Sequence, residues 1–204
     1  MTASGPLEVL DQEKSIKENT PRWKIRYFNR FIVLMWRLGL GKWVNAWPSR
    51  YGQIMVIVQA ENKSRLRQYT PVNYAMVNED IFCTTGLGQI PDWYRNILAN
   101  PAVEIWLPDS WWAGIGEDVT GQKDSLAIIR KVLTVSGVAV RSLGVDPTAL
   151  DDEQLAAATS SCHLVRIRRT VARTGEGGPG DLAWIWPLST LFLLFLQLFR
   201  PRRR

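Results

Sequence analysis

Two stretches carry residue types suited to holding an anionic, flat ligand. In the first, a β-rich run from Ile81 to Thr85 ends in a loop containing Gly86 and Gly88. Pro91 then sets the first turn of a short helix, Asp92 to Ala99, which Asn100-Pro101 stops. Backbone N–H groups of a glycine loop that enters a helix N-terminus can seat an anion, and glycines let the main chain approach a flat ring closely. Strand–glycine turn–helix joints are common, however, and most bind nothing. In the second, the polar loop Glu61 to Tyr69 carries Lys63, Ser64, Arg65 and Arg67, the cations and hydroxyl that a phosphate needs. By itself that loop also reads as a solvated charge cluster.

Other chemistries find little support. The single histidine, His163, rules out most His-based metal sites, and no metal site is expected. His163 falls in an alternating run and reads as a core or edge histidine. No paired carboxylates, Ser-His-Asp set or Cys-His pair points to hydrolysis. Cys83 and Cys162 fall in strand-like segments and read as small buried hydrophobes in a reducing compartment. Gly86-Leu87-Gly88 lacks the third glycine of a dinucleotide fingerprint. Ten tryptophans suit an aromatic-lined pocket or a membrane interface. By aromaticity alone, Trp111 and Trp112 are candidates for contact with a substrate.

The elements that must position these residues are mostly strands. Gln53 to Ala60 is a buried strand, and Thr70 to Val77 and Ile81 to Thr85 form a hairpin through Asn78-Glu79-Asp80. Val103 to Leu107 and Trp111 to Val119 follow the short helix. A helix is expected over Gln122 to Ser142, and another from Asp146-Pro147 to about Thr159. The last strand, Cys162 to Val171, turns His163, Val165 and Ile167 inward and Leu164, Arg166 and Arg168 outward. Short antiparallel strands with one crossing helix suit a mainly β, α+β Greek-key barrel.

The ends differ from the middle. Residues 1–21 read as a flexible lead, polar and acidic with no secretory signal. Residues 22–47 form an amphipathic helix with Arg22, Arg26, Asn29, Arg30, Val33 and Arg37 along one side and aromatic or aliphatic residues over the rest. It can lie in a membrane interface, pack on the barrel, or do both. Residues 48–173 make the barrel and 174–181 a flexible linker. Residues 182–204 make a hydrophobic anchor, uncharged from Leu182 to Phe199 and closed by Arg200 and Arg202 to Arg204. Some eighteen helical residues reach about 27 Å, marginal for a span, and the terminal arginines would sit on the wrong side of one. An in-plane or re-entrant anchor at the cytoplasmic face of the cell membrane, or a helix buried against partner subunits there, is expected. Of the net charge of +6, much lies at these two ends, which suits anionic lipid; no nucleic-acid motif accompanies it.

The run Asp92-Trp93-Tyr94-Arg95-Asn96-Ile97-Leu98-Ala99-Asn100-Pro101, followed by Val103-Glu104-Ile105, closely resembles the signature of the deazaflavin-dependent nitroreductase family of split β-barrel, FMN-binding-like proteins. The resemblance covers about residues 28–173. It implies a split barrel with the N-terminal amphipathic and C-terminal hydrophobic helices appended. It also implies hydride transfer from reduced coenzyme F420 to an electron-poor acceptor, a nitro compound or a quinone such as menaquinone. Carried over by position, it puts the cofactor at Lys63, Ser64, Thr70, Pro71, Thr85, Gly86, Gly88, Trp93 and Asn96, with Tyr74 on the neighbouring wall, and Arg67 is the candidate to stand in for a family arginine missing here. The chain departs from the family's Gly-Arg-Lys-Ser-Gly at Glu61-Asn62-Lys63-Ser64-Arg65, and Gln68 replaces an arginine three residues before Pro71. Those changes leave room for FMN, or for a barrel without cofactor serving as accessory subunit of a membrane complex.

Overall fold

A computed structural model describes residues 22–46, 52–60, 66–86, 90–136 and 146–198. Its elements are α1 (Arg22–Arg37), α2 (Gly41–Val44), β1 (Ile54–Ala60), β2 (Arg67–Val77), β3 (Asp80–Thr84), α3 (Asp92–Ala99), β4 (Ala102–Leu107), β5 (Ser110–Asp118), α4 (Ser125–Val135), α5 (Asp152–Ala158), β6 (Leu164–Ala172) and α6 (Ile185–Leu198). The six strands close into a barrel in the order β1-β2-β3-β6-β5-β4, with every pair antiparallel.

Strand alternation sorts the apolar residues into three layers. Met55, Ile57, Tyr74, Ile81, Cys83, Val103, Ile105, Val165 and Ile167 fill the barrel, and Trp93, Tyr94 and Ile97 of α3 join them, so the helix plugs the lumen. On one outer face, Ile54, Val56, Val58, Trp106 and Trp111 meet Ile32 and Trp36 of α1. On the other, Ala75, Phe82, Val119 and Leu164 meet Ile129, Val132 and Leu133 of α4 and Leu155 of α5. Leu164, expected to face outward, is therefore buried between β6 and these helices.

Local chemistry accounts for the boundaries. The β2–β3 hairpin turns on Asn78 and Glu79, both at positive φ (56° and 66°), the backbone of a primed two-residue turn. β2 begins at Arg67 rather than Thr70, since Arg67 and Gln68 still pair with Ala60 and Gln59. The helix expected from Asp146 starts instead at Asp152, after a turn in which Asp146 accepts from Thr148. Asp151 caps it and Gln154 completes a reciprocal capping box. The part of the preceding helix expected past Ser136 lies outside the described residues. α1 ends in a glycine motif: Leu40 N–H donates to Met35 O, Gly39 N–H to Trp36 O, and Gly39 has φ +77°.

The segment expected to be a flexible linker is tied down. Gly178 lies against the Trp111 ring, where an added Cβ would come within 2.4 Å of Cε3. Gly180 and Leu182 donate backbone N–H groups to Trp36 O and Arg37 O, and Trp186 Nε1 donates to Leu38 O. Arg37 holds the Asp181 carboxylate with three contacts of 2.8–3.1 Å. These bonds set α6 beside the C-terminal end of α1. Its side chains from Ile185 to Gln197 are exposed, and at fourteen residues it is about 21 Å long. Among the described residues, no helix is long and apolar enough to cross a membrane.

Candidate functional site

Where α1 leans over the start of β2, a cleft of about 880 Å³ opens, within the range of small-molecule sites. Arg26, Asn29, Arg30, Val33, Leu34 and Arg37 of α1 form one wall; Arg67, Gln68, Tyr69 and Thr70 of β2 form another; Pro91, Asp92 and Trp93 close the end. The helical repeat produces that first wall. Ile32 and Trp36 face the barrel, the next strip of α1 faces the cleft, and Trp23, Tyr27, Phe28 and Phe31 remain exposed to solvent.

The cationic residues of the cleft differ in what they are bonded to. Arg67 Nη2 donates to both oxygens of Glu104 at 2.8 and 2.9 Å, while Nη1 reaches Gly177 O at 3.4 Å. Glu104 also accepts from Arg173 Nη1 at 2.9 Å and Trp111 Nε1 at 3.2 Å. Arg37 is held by Asp181, and that hydrogen bond raises its pKa further despite the opposing effect of burial. Among the described residues, Arg26 and Arg30 have no ion-pair or hydrogen-bond partner.

The glycine turn lies at the same end of the barrel. Thr85 N–H donates to His163 O and its Oγ1 accepts from His163 N–H, both at 3.0 Å, which clasps the turn to the lead-in of β6. Gly86 follows at φ +75°, and a Cβ built there meets nothing within 4 Å. Asn96 Nδ2 donates to Gln68 Oε1 at 3.0 Å, so the neutral residue on β2 fastens α3 to the strand.

Of the residues expected at a cofactor, Arg67, Thr70 and Trp93 line the cleft, and Asn96 touches it through Gln68. Thr85 and Gly86 form the nearby turn. Pro71 pairs with Val56, on the strand face opposite to Thr70. Lys63, Ser64 and Gly88 lie outside the described residues. The three aromatic candidates for substrate are not brought together. Tyr74 is 6% exposed inside the barrel, where burial raises its pKa. Trp112 packs against the same core with the Arg169 guanidinium 5.1 Å from its ring centre. Trp111 is on the outer face beneath Gly178.

Two features were not identified from the sequence as parts of a site. One is the α1 wall, whose arginine stripe is visible in the helical spacing but was assigned to lipid. The other is a polar cluster beside the glycine turn. There, Tyr94 Oη donates to Asp118 Oδ2 and lies 3.1 Å from His163 Nδ1, and the two rings stack at 4.7 Å. Burial and the Asp118 contact push the Tyr94 phenol up to about 12. Burial works against the Asp118 carboxylate, but hydrogen bonds from Thr120 and Tyr94 and the nearby imidazole outweigh it and lower the pKa. Single-sequence reading could not join three residues so far apart in the chain.

A family model described as F420H(2)-dependent quinone reductase matches residues 29–148. A search of curated protein sequences gives no match. Among solved structures, the heme storage protein HutZ from Vibrio cholerae superposes with a TM-score of 0.43 at 12% identity, over 69% of this chain and 96% of that one. A candidate pyridoxamine 5′-phosphate oxidase from Listeria innocua gives 0.42 at 11% identity, over 66% and 96%. An F420-H2 dependent reductase gives 0.39 at 17% identity, over 57% and 94%. Scores this low carry no argument, whereas the family match takes in more than half of the chain, from the middle of α1 through the first five of the six barrel strands to the lead-in of α5. The protein is a member of the F420H(2)-dependent quinone reductase family, an F420-dependent reductase built on a six-stranded antiparallel barrel.

Proposed function

We propose that the cleft between α1, β2 and α3 holds coenzyme F420, and that the protein reduces a lipophilic quinone such as menaquinone while resting on the cytoplasmic face of the membrane. Three observations support the cofactor's place. The barrel lumen is filled by its own core and by α3, so a ring must lie outside it. The open space over Gly86 and the cleft beside Thr70 and Trp93 suit a flat ring. The arginine-lined walls suit its phosphate and carboxylates, and the cleft is the observation that carries the reading.

When bound in its reduced form, F420 supplies a hydride; the chain supplies binding and orientation. Trp93, 5% exposed and wedged between the core and the cleft, is a stiff wall for a ring. Thr70 offers a hydroxyl at the floor. Thr85, clasped by two backbone contacts to His163, sets the direction of the Gly86 turn. Lys63 and Ser64 are assigned to the phosphate by family position. The departures at Glu61, Arg65 and Gln68 suggested a barrel without activity; membership of a reductase family favours the enzyme.

Attachment to lipid is supported by exposed apolar surface. Trp23, Tyr27, Phe28, Phe31 and Leu34 of α1 and Trp186, Leu191, Phe192 and Phe195 of α6 are each 44–64% exposed. Patches of this kind mark lipid or partner contacts. Cys83 and Cys162 are both buried and neither is disulfide-bonded, as suits the cytoplasmic side.

The test uses the full chain in detergent, titrated with F420 while cofactor fluorescence is followed, then reacted with reduced F420 and menadione. Saturable binding and quinone-dependent oxidation are expected. An absence of binding at micromolar levels overturns the cofactor reading. Failure to co-sediment with anionic phospholipid vesicles overturns the membrane reading alone.

A further inference from the structure

We infer that Arg26 and Arg30 of α1 form a clamp for the anionic tail of the cofactor, its phosphate and carboxylate-bearing chain, and so make the N-terminal helix part of the binding site. This inference rests on the proposed cleft and deepens it.

Four of the cleft's seven charged and amide side chains are already engaged. Arg67 is bound to Glu104, Arg37 to Asp181, and Gln68 to Asn96. Asp92 lies 3.6 Å from Arg95. Among the cleft's charged groups, Arg26 and Arg30 are the exceptions within the described residues: both line the cleft and neither meets a carboxylate. Four residues apart on one helix, they stand on successive turns with Cβ atoms about 6 Å apart. Two like charges so close repel unless an anion comes between them, and Asn29, beside them on the same wall, adds an amide donor. A guanidinium pair on a concave wall suits phosphate and carboxylate better than a neutral ring. The exposed aromatic residues of α1 adjoin this wall, since Trp23 stands three residues before Arg26 and Tyr27 three before Arg30, so a ligand of the arginines has to be told apart from one that also takes the aromatics.

The competing occupant is a phospholipid headgroup, and the experiment separates the two. The Arg26→Gln/Arg30→Gln double variant is compared with wild type and with Lys131→Ala, an exposed cation on α4 remote from the cleft. Each is titrated with F420, with the same deazaflavin ring lacking phosphate and glutamates, and with vesicles of phosphatidylglycerol and phosphatidylcholine. The double variant should bind F420 about tenfold or more weakly and with a shallower salt dependence. It should bind the tail-less ring as wild type does, and Lys131→Ala should change neither. The Arg26→Lys/Arg30→Lys variant should recover part of the loss, which a folding defect would not allow. Unchanged F420 affinity with lost vesicle binding overturns the clamp and gives the arginines to lipid, leaving the cofactor reading intact. If wild type binds neither F420 nor the tail-less ring, both fail.

Discussion

Glu104 couples stability to the charge of the cleft, and Glu104→Gln separates the two. Its side chain is 17% exposed and gathers Arg67, Arg173 and Trp111 from three different strands and their extensions. A bond from a guanidinium to a carboxylate is worth about 1.5–3 kcal/mol, against about 0.5–1.5 kcal/mol for a neutral pair. Replacing the carboxylate by an amide therefore costs about 1 kcal/mol at each of two guanidiniums. The arginines are 42% and 44% exposed and regain water, which brings the total to about 1–2 kcal/mol. For a chain of this size that is a fall in Tm of about 3–6 °C, shrinking at high salt. Affinity should move the other way. Arg67 already lines the cleft, and freed from Glu104 it adds a positive charge there, so F420 should bind several-fold more tightly as its Tm falls. Circular dichroism melts and fluorescence titration read the two quantities on one preparation. A Tm within about 1 °C of wild type would refute the energetic argument. A fall in both Tm and affinity would refute the coupling, and would mean that Glu104 aims Arg67 at the ligand rather than neutralising it.

Two further outcomes follow from the geometry. Gly178→Ala would push a methyl into the Trp111 ring at about 2.4 Å, so the 175–186 segment should lift off α1. Hydrogen exchange should rise in that segment while the barrel strands keep their protection, and unchanged exchange there would show that the segment is not held by this contact. The Tyr94–Asp118–His163 cluster bounds stability at both pH extremes. The Asp118 carboxyl is lowered by folding, so its contribution is present above the ordinary carboxylate range near 4 and lost as pH falls through the folded value. Tyr94 is raised to about 12, so its contribution is full below the ordinary phenol value near 10 and disappears as pH rises from there to about 12. Urea midpoints for wild type and Tyr94→Phe should therefore diverge less at pH 11 than at pH 8; a constant gap would count against the assignment.

The barrel was legible because its strands alternate and its hairpin carries Asn at a turn that needs positive φ. The errors have physical causes. Arg67 and Gln68 look like loop because they are polar, yet each is a strand residue satisfied by a partner, Glu104 or Asn96, that only the fold brings near. Asp146-Pro147 is a good helix opening, but the reciprocal cap of Asp151 and Gln154 is better, and the helix starts there. Trp111 and Trp112 could have been separated from the sequence alone, since neighbours on one strand face opposite sides. The Arg26, Arg30 and Arg37 stripe was evident in the helical spacing. Its destination was not, because an amphipathic helix specifies its faces and not what each face meets.

On the proposed reading, α1 answers a conflict between the two reactants. A polyanionic cofactor wants cations and water at its tail, and a lipophilic quinone wants neither. The barrel lumen serves neither, being filled by its own side chains and the plug helix. A helix laid across the outside can present three chemistries at once, because each residue rotates the side chain by about 100°. Ile32 and Trp36 anchor it, Arg26 and Arg30 line the cleft, and Trp23, Tyr27 and Phe31 stay exposed beside them. The same rotation makes the arrangement intolerant of insertion. One residue added between Arg30 and Ile32 would turn the arginines out of the cleft, even in a barrel left otherwise unchanged.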